Sequence, residues 1–301
     1  MLFLDSLIFN KHILPHLKEL KISASLKEKA FLYKIEKELR IYIKNNKKEI
    51  KLLINENFSL KPEILLPEKK ILSFVKSCIE VFLSENTNFY FKSIPTIIDT
   101  ITAFDKLEIS EDHPSRSGRD TFYINQNTIL STQTSIAEIL NLEEIISNNN
   151  SNIFTIGRVF RRDKDSTHLP SFQQLELISN QLSRNDFLFL IQELLSFIFE
   201  SLKIYLNSTS LQKLEFKIRP HFFPFTWNSF EIDVKCHCNS NCASCSLGYI
   251  EIVGGGQFRF SILTTEKKVM ACGMGIERIA MSFFNLLAPN SNKIYNIHKL
   301  Q

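Results

Sequence analysis

One twenty-residue stretch, GRVFRRDKDSTHLPSFQQLE at positions 157–176, combines the residue types that an anion-binding site needs. An apolar run from Ile153 to Phe160 leads into the charged pair Arg161 and Arg162, and the chain returns as a second β-like run, Phe172–Ile178. Two strands joined by a loop with an arginine at its base predict a hairpin that holds an anionic ligand, because a guanidinium group can bind an anion with two parallel hydrogen bonds. An ordinary surface hairpin with a charged tip explains the same residues, and this stretch alone does not choose between the two.

Two later segments also carry residues that suit a ligand site. Phe223 and Phe225 stand at alternate positions, so that in a strand their rings would share one face and grip an aromatic ligand. Core packing is the competing interpretation, because the chain contains 26 phenylalanines. The segment Met270–Met281, MACGMGIERIAM, predicts a strand that passes into a helix.

Hydrophobic spacing assigns the elements that must position these residues. Helical periodicity predicts helices over Ile71–Leu83, Ile136–Ile146 and Asp186–Leu206. Residues Leu214–Val234 predict strands around a turn, and Gly248–Gly256 predicts a strand that ends in three glycines. Those glycines let a backbone approach a ligand, but no βαβ pattern surrounds them, so they are not a dinucleotide-binding fingerprint.

Composition describes an ordinary globular protein of one large or two smaller domains. The chain has 301 residues, of which 44% are hydrophobic and 23% charged, and its formal net charge is +4. This basic excess permits an RNA partner without requiring one. No apolar run reaches the roughly 18 residues that predict a membrane span. The apolar N-terminus carries Asp5 and Lys11 and has no cleavage site, so a signal peptide is not predicted.

The six cysteines are unevenly distributed. Cys78 and Cys272 stand apart, which does not fit a disulfide framework and predicts a reducing, cytoplasmic setting. The other four lie within ten residues and are Cys236, Cys238, Cys242 and Cys245. With His237 beside them they offer enough ligands for a tetrahedral zinc site, although their spacing is tighter than that of a zinc ribbon. Thiols in a loop without metal are the alternative.

Residues 1–68 are predicted to form a basic helical arm that precedes a domain over residues 69–301. Pro62 and Pro67 mark a linker between the two parts. Apolar residues follow helical spacing in the arm, which also suits a coiled coil, and nine basic residues stand against four acidic ones between Lys27 and Lys51. Such a face can track a phosphate backbone, and a solvated helix face explains it equally well.

Five pieces of the chain, in a fixed order, carry a resemblance to a known family. They are FDKLEI with DHPSRSGRDTFY (104–123), LSTQTS (130–135), GRVFRRDKDSTHLPSFQQLE, FFPF with EIDV (222–234), and GMGIERIAM (273–281). This ordered set resembles the class II aminoacyl-tRNA synthetase core, and most closely the α subunits of bacterial phenylalanyl-tRNA synthetases, over roughly residues 70–285. The resemblance implies an α+β fold in which an antiparallel sheet flanked by helices carries the site.

The resemblance also implies a role for each residue of the nucleotide site. Arg161 and Arg278 would be the catalytic arginines, because charge builds on phosphoryl oxygens during amino-acid activation and fixed cations stabilise it. By the same resemblance ATP would be bound by Arg161, His168, Phe172, Glu251 and Arg278. Phe172 would stack on the adenine, and His168 would lie near the nucleotide.

A second set of residues is assigned to the amino acid by the resemblance alone. Phenylalanine would be bound by Gln133, Ser135, Gln174, Glu176, Phe223, Phe225, Ala271 and Gly273. In this set the carboxylate of Glu176 would pair with the substrate ammonium group, and Ala271 would form the wall of the side-chain pocket. The family implies ATP and Mg²⁺ as cofactors and, as partners, a β subunit in an α2β2 assembly, tRNA(Phe) and L-phenylalanine.

Several positions depart from the family pattern. Ser131 replaces an arginine, Gln173 replaces a histidine, and Leu177 replaces a glycine. Trp227 stands where the family carries a glutamate that helps to hold magnesium, and residues 257–260 replace a methionine-valine-histidine-proline run. Two rival hypotheses follow. One is a non-catalytic RNA-binding or assembly protein descended from a synthetase, and the other is a synthetase for a different amino acid.

Overall fold

The structure of the protein is a computed structural model. It describes residues 65–85, 87–148, 150–162, 168–206, 208–236, 238, 245–259 and 268–287. The basic arm predicted for residues 1–68 therefore lies outside the described residues up to residue 64, and so do His237, Cys242 and the tip of the hairpin at 163–167.

The described elements follow one another in a mixed order of helices and strands. The helices are α1 (Leu65–Glu85), α2 (Thr100–Ala103), α3 (Ile136–Leu140), α4 (Leu142–Ser147), α5 (Arg184–Tyr205) and α6 (Ile276–Leu287). The strands are β1 (Tyr90–Phe91), β2 (Ile97–Asp99), β3 (Tyr123–Asn125), β4 (Thr128–Leu130), β5 (Asn152–Phe160), β6 (Ser171–Ser179), β7 (Phe216–Pro220), β8 (Thr226–Lys235), β9 (Tyr249–Phe258) and β10 (Met270–Gly275). Short 3₁₀ turns lie at Asp105–Leu107 and Pro114–Arg116.

The main sheet has seven strands in the order β1-β5-β6-β10-β9-β8-β7. The antiparallel arrangement expected from the sequence is confirmed for every pair except the edge pair β1–β5, which is parallel. Strand β10, the last of the described strands, inserts between β6 and β9. This insertion brings the predicted hairpin next to the strand that carries the three glycines.

One face of the sheet is covered by α1, α5 and α6, because their apolar sides and the alternate strand residues form one buried core. Leu175 and Leu177 of β6 belong to this core, as do Ile79 of α1 and Phe283 of α6. The rings of Phe199 and Phe283 meet edge to face with centroids 5.5 Å apart. None of the described helices is long and apolar enough to cross a lipid bilayer.

The opposite face of the sheet carries a second, smaller core. It joins the three-stranded sheet β2-β4-β3 and the short helices to the large sheet. Ile153, Ile178 and Ala271 contribute to it from β5, β6 and β10, while Phe104 and Ile136 contribute from the smaller elements. Between this layer and the sheet remains the space in which the candidate site lies.

Two expectations about helices need correction. Residues 65–67 belong to the first turn of α1 and are not a linker, since Pro67 can occupy a first turn, where backbone N–H groups have no helical partner. The helix expected over Ile136–Ile146 is two short helices that meet at Asn141. The Asn141 side-chain amide and backbone N–H both donate to the Ala137 carbonyl, which closes α3.

Candidate functional site

A cavity of about 450 Å³ opens beside the central strands β6, β10 and β9. All thirteen non-cysteine residues that the sequence nominated line this one cavity: Gln133, Ser135, Arg161, His168, Phe172, Gln174, Glu176, Phe223, Phe225, Glu251, Ala271, Gly273 and Arg278. They come from separate segments of the chain. The three clustered cysteines in the described residues do not line it.

One end of the cavity is cationic because the hairpin and helix α6 each contribute an arginine. Arg161 follows the last residue of β5, and its Nε donates to the Thr132 carbonyl over 2.9 Å. Its guanidinium lies 5.5 Å from the centroid of the Phe172 ring. The backbone N–H of Arg161 donates to the carbonyl of Pro170 over 3.2 Å, which fixes the base of the hairpin.

Arg278, in the first turn of α6, is the second cation of this end. Its Nη2 lies 3.1 Å from His168 Nε2, and its Nη1 donates to the Glu251 carbonyl over 3.2 Å. The Glu251 carboxylate is 3.9 Å from the same guanidinium. These contacts join β9, the hairpin and α6 around one cation, and the start of a helix itself favours anions.

Further along β6 the cavity becomes acidic. Glu176 is almost fully buried, and its Oε2 accepts hydrogen bonds from Thr134 Oγ1 over 2.7 Å and from Ser135 Oγ over 3.2 Å. Phe172 and Glu176 are four residues apart on one strand, so their positions differ by about 13 Å along it. The cationic and acidic ends are therefore separated along one strand.

A second carboxyl group lies against the first. Glu138 of α3 is 1% exposed, and burial together with the charge of Glu176 raises its pKa well above the ordinary range. Burial raises the pKa of Glu176 to about 7, although hydrogen bonds from Thr134, Glu138 and Ser135 favour its charged form. Glu138 therefore holds its proton more strongly than Glu176, so that the charge of the pair resides mainly on Glu176.

The two phenylalanines lie at the same end, but they are not on a strand. Phe223 and Phe225 flank Pro224 in the turn between β7 and β8, and the Phe223 carbonyl accepts from the Thr226 N–H over 3.2 Å. The expectation that they alternate along a strand is wrong, because the proline removes a backbone donor. The turn still brings the rings together, with centroids 6.2 Å apart and planes at 25°.

Glycines give this end its width. A Cβ atom at Gly254 would lie 2.8 Å from Phe223 Cζ, so the ring occupies the space that a side chain would fill. A Cβ atom at Gly273 would lie 2.6 Å from Gln174 Nε2 and 3.2 Å from Glu176 Oε2. Gly254 and Gly273 are partners across β9 and β10, so both open the same part of the cavity.

Glu277 lines the cavity as well, although the sequence interpretation did not nominate it. Both of its carboxylate oxygens accept from the Gln173 backbone N–H, over 3.0 and 2.8 Å, and it is 2% exposed. Burial raises its pKa to about 7, while the bond from Gln173 and the charge of Arg158 oppose the shift. This contact ties helix α6 to strand β6 across 104 residues of sequence.

Comparison with known proteins agrees with this geometry. Residues 56–288 match the family model described as tRNA synthetases class II core domain (F). The chain is 30% identical to the phenylalanine–tRNA ligase alpha subunit of Acetivibrio thermocellus over 290 residues, which covers 88% of this chain and 81% of that protein. The chain belongs to the phenylalanine–tRNA ligase α-subunit family of class II aminoacyl-tRNA synthetases.

Other family members show similar relationships. The protein of the same name from Ureaplasma parvum is 30% identical over 299 residues, covering 92% of this chain and 86% of its own length. The one from Bacillus subtilis is 34% identical over 190 residues, covering 59% of this chain and 52% of its own.

The departures from the family pattern on β6 lie away from the cavity. Leu177 is fully buried in the core beneath the helices, on the opposite face from Glu176. The side chain of Gln173 also lies on the opposite face of β6 from Gln174. Its backbone N–H, not its side chain, makes the hydrogen bond to Glu277 of α6. Ser131 is buried, and its hydroxyl donates to the Gln133 carbonyl over 3.1 Å. These three substitutions leave the cavity-facing set on β6 intact.

Trp227 differs from these, because it changes the chemistry of its position. Its ring is 54% exposed, and the guanidinium of Arg259 lies 4.5 Å from the ring centroid. An indole offers no oxygen ligand for magnesium. A cation–π pair thus stands at the start of β8, where the resemblance led us to expect a glutamate.

Sequence reasoning missed three residues that support Glu176 and the hairpin. Thr134 lies inside the quoted segment LSTQTS, and Glu277 lies inside GMGIERIAM between a glycine and an arginine, so both were within recognised pieces. Glu138 had only a weak signal: it is a carboxyl group in a helical segment whose neighbours Ile136, Ala137 and Ile139 are all apolar.

Proposed function

We propose that this chain activates L-phenylalanine with ATP and transfers it to tRNA(Phe), as the catalytic α subunit of an α2β2 enzyme. The observation that carries the proposal is the single cavity with a cationic end at Arg161 and Arg278 and an acidic, aromatic end at Glu176, Phe223 and Phe225. Those two ends suit the two substrates that must meet, a polyphosphate and an amino acid with an aromatic side chain.

At the acidic end, Glu176 pairs with the substrate ammonium group, and Gln133, Ser135 and Gln174 complete its hydrogen bonds. A buried carboxylate that already accepts two hydroxyl donors is fixed in place, so little ordering is needed when the cation arrives. Phe223 and Phe225 bind the substrate ring, with Ala271 and Gly273 leaving room for it.

At the cationic end, Arg161 binds the α-phosphate and Arg278 binds the far end of ATP. Phe172 contacts the adenine, with Arg161 already beside its ring, while His168 and Glu251 hold Arg278 in position. These side chains are fixed before the substrates bind, which is the arrangement that stabilises charge without reorganisation.

Two reaction steps follow from this arrangement. A carboxylate oxygen of phenylalanine attacks the α-phosphorus, the bond to the bridging oxygen breaks, and pyrophosphate leaves with that electron pair. Arg161 stabilises the negative charge that grows on the α-phosphoryl oxygens. In the second step a terminal ribose hydroxyl of tRNA attacks the carbonyl carbon of the adenylate, loses its proton and expels AMP.

Class II synthetases in general use Mg²⁺ with ATP, and the residues of this chain fit such an ion in part. Glu251 supplies a carboxylate on the cavity wall, whereas Trp227 supplies no ligand at the position of the family's glutamate. We propose that Glu251 and water, together with the ATP phosphates, hold the ion. When bound, it neutralises phosphate charge.

The partners follow from the same proposal. A larger β subunit completes the assembly, and the basic arm at residues 1–68 contacts the tRNA backbone through its excess of lysine and arginine. The compartment is the cytoplasm, where tRNA is charged.

The deciding experiment is phenylalanine-dependent pyrophosphate exchange by the chain purified with and without its β subunit. Arg161→Ala should lower the exchange rate at least about 100-fold, because one preorganised charge contact to the transition state is lost. Its neighbour Arg162 is the matched control. Its Nη1 donates to the Gly118 carbonyl over 3.0 Å and it does not line the cavity, so Arg162→Ala should keep exchange within about fivefold.

Each failure has a distinct meaning. No exchange with the β subunit present, combined with retained tRNA binding, would establish a non-catalytic protein. Exchange driven by another amino acid would overturn the substrate assignment. An unchanged rate in Arg161→Ala, with an unchanged unfolding curve, would remove Arg161 from the reaction.

A further inference from the structure

Three cysteines converge at the end of the β8–β9 connection, outside the cavity. The Sγ atoms of Cys236, Cys238 and Cys245 all lie within 4.8 Å of one another, and those of Cys238 and Cys245 are 3.3 Å apart. The structure records all three as thiols. Cys242, the fourth cysteine of this stretch, lies outside the described residues, and nothing below rests on its position.

The backbone holds these thiols where the connection closes. Cys236 follows the last residue of β8, is 3% exposed, and donates its N–H to the Gly248 carbonyl over 2.7 Å. Ser246 and Tyr249 form a β-bridge with two hydrogen bonds of 3.0 Å just before β9. Cys238 and Cys245 pack against the main core. The cluster is therefore part of the folded body and not a loose loop.

The distances suit one metal ion shared by the thiolates. Zinc–sulfur bonds of about 2.3 Å in a tetrahedral site place sulfur atoms about 3.8 Å apart. The Cys238 and Cys245 sulfur atoms are 3.3 Å apart, and no pair among the three is more than 4.8 Å apart. Thiolates around a multi-iron cluster are held further apart, because the cluster lies between them. Magnesium and calcium require oxygen ligands, and this group contains only sulfur.

We propose that Cys236, Cys238 and Cys245 bind one Zn²⁺ ion that clamps the β8–β9 connection. Binding converts three thiols to thiolates, forms three zinc–sulfur bonds and one bond to a fourth donor such as water, and releases three protons to solvent. Cys236 lies beyond the opposite end of β8 from Thr226, which lines the cavity, so the two sites are roughly 30 Å apart along the strand. The ion is structural and takes no part in the reaction.

A zinc ion at this position would also stabilise the pairing of β8 with β9. Strand β8 continues directly into the turn that carries Phe223 and Phe225 at one end, and β9 carries Gly254 opposite the Phe223 ring. A clamp between the far ends of β8 and β9 fixes their register, which includes irregularities after Trp227 and after Ile232. The ion thereby stabilises the strand pair that supports the aromatic end of the cavity.

The test is elemental analysis of the full chain purified with its β subunit after dialysis against metal-free buffer. The wild type should contain about one zinc per α chain, as one tetrahedral site requires. The double variant Cys238→Ser, Cys245→Ser should retain less than about one tenth of it, because two thiolates are lost. Cys78→Ser is the matched control, since Cys78 is a buried thiol in α1 outside the cluster, and it should keep the full zinc content.

A second measurement keeps the proposal testable if the double variant does not fold. Wild-type chain is titrated with a thiol-specific mercurial in the presence of a zinc-sensitive dye, and about one zinc should be released as the clustered thiols react. The proposal would be overturned by any of three results. The first is less than about one tenth of a zinc ion per wild-type chain, the second is an equal zinc content in the folded double variant, and the third is bound iron in place of zinc. None of these readouts uses an activity assay, so they stand apart from the proposed function.

Discussion

The two faces of strand β6 differ in what they do and in what they tolerate. On one face Gln174 and Glu176 line the cavity, and on the other Leu175 and Leu177 are buried beneath the helices. Glu176 and Leu177 are neighbours in sequence and equally hidden from solvent, with exposures of 2% and 0%. Burial alone therefore does not separate a cavity-lining residue from a core residue, whereas the face of the strand does.

The consequence of a departure from the family pattern therefore depends on the face of β6 on which it lies. A leucine in place of a glycine at position 177 adds apolar volume to a core that accommodates it. Any change at 174 or 176 would instead alter groups that line the cavity, at its proposed amino-acid end. The comparison can be tested by changing one face at a time.

The largest effect is expected for Glu176→Gln. Because the substrate ammonium group would lose its partner charge, kcat/KM for phenylalanine should fall about 1000-fold, equivalent to about 4 kcal/mol. The variant should unfold at pH 8 no more easily than the wild type, since the fold disfavours the charged form of this carboxyl. Steady-state exchange kinetics and thermal unfolding measure the two effects. A tenfold effect or less would contradict the ammonium contact.

Leu177→Ala should give the reverse pattern. Removing a fully buried leucine leaves a cavity in the core and should lower the free energy of unfolding by about 3 kcal/mol. At 25 °C the KM for phenylalanine should stay within about twofold, because the side chain does not line the cavity. Denaturant unfolding and exchange kinetics provide the measurements. A large change in KM with little loss of stability would refute the division between faces.

The pH dependence of kcat/KM should reflect the titration of Glu176, on the cavity face of β6. With the pKa of Glu176 at about 7, kcat/KM for phenylalanine should fall about tenfold for each pH unit below 7, as the carboxylate takes up its proton. Loss of the fold does not explain such a decline. Because folding raises the pKa of Glu176, this group stabilises the fold fully when the pH is below its ordinary pKa of 4.5. That contribution is lost as the pH rises through about 7, so a lower pH does not remove it. A flat profile in the wild type would contradict the assignment.

The smallest effect is expected at Gly273. Alanine there should displace the Gln174 amide and raise the KM for phenylalanine about fivefold, because its Cβ would lie 2.6 Å from Nε2, the mobile end of that side chain. Gly118→Ala is the control, since no atom lies within 4 Å of its Cβ position, and KM should not change. Equal KM values in both variants would show that Gly273 does not limit the space around the substrate.

Much of the fold was determined by local sequence pattern. Helical periodicity predicted α1 and α5, and the predicted hairpin strands at 153–160 and 172–178 are β5 and β6 to within one residue at each end. Such patterns are local, because the side of a helix or strand on which a residue lies depends only on the repeat of that helix or strand. The family resemblance likewise nominated thirteen residues that line one cavity.

Only the tertiary structure decided which distant groups meet. Thr134 reaches Glu176 across 42 residues, Gln173 reaches Glu277 across 104, and Gly254 leaves room for Phe223. These contacts depend on β10 inserting between β6 and β9, a choice of neighbour that no local period encodes. The raised pKa of Glu176 has the same origin, because the burial that raises it exists only once the layer that includes helix α3 covers β6.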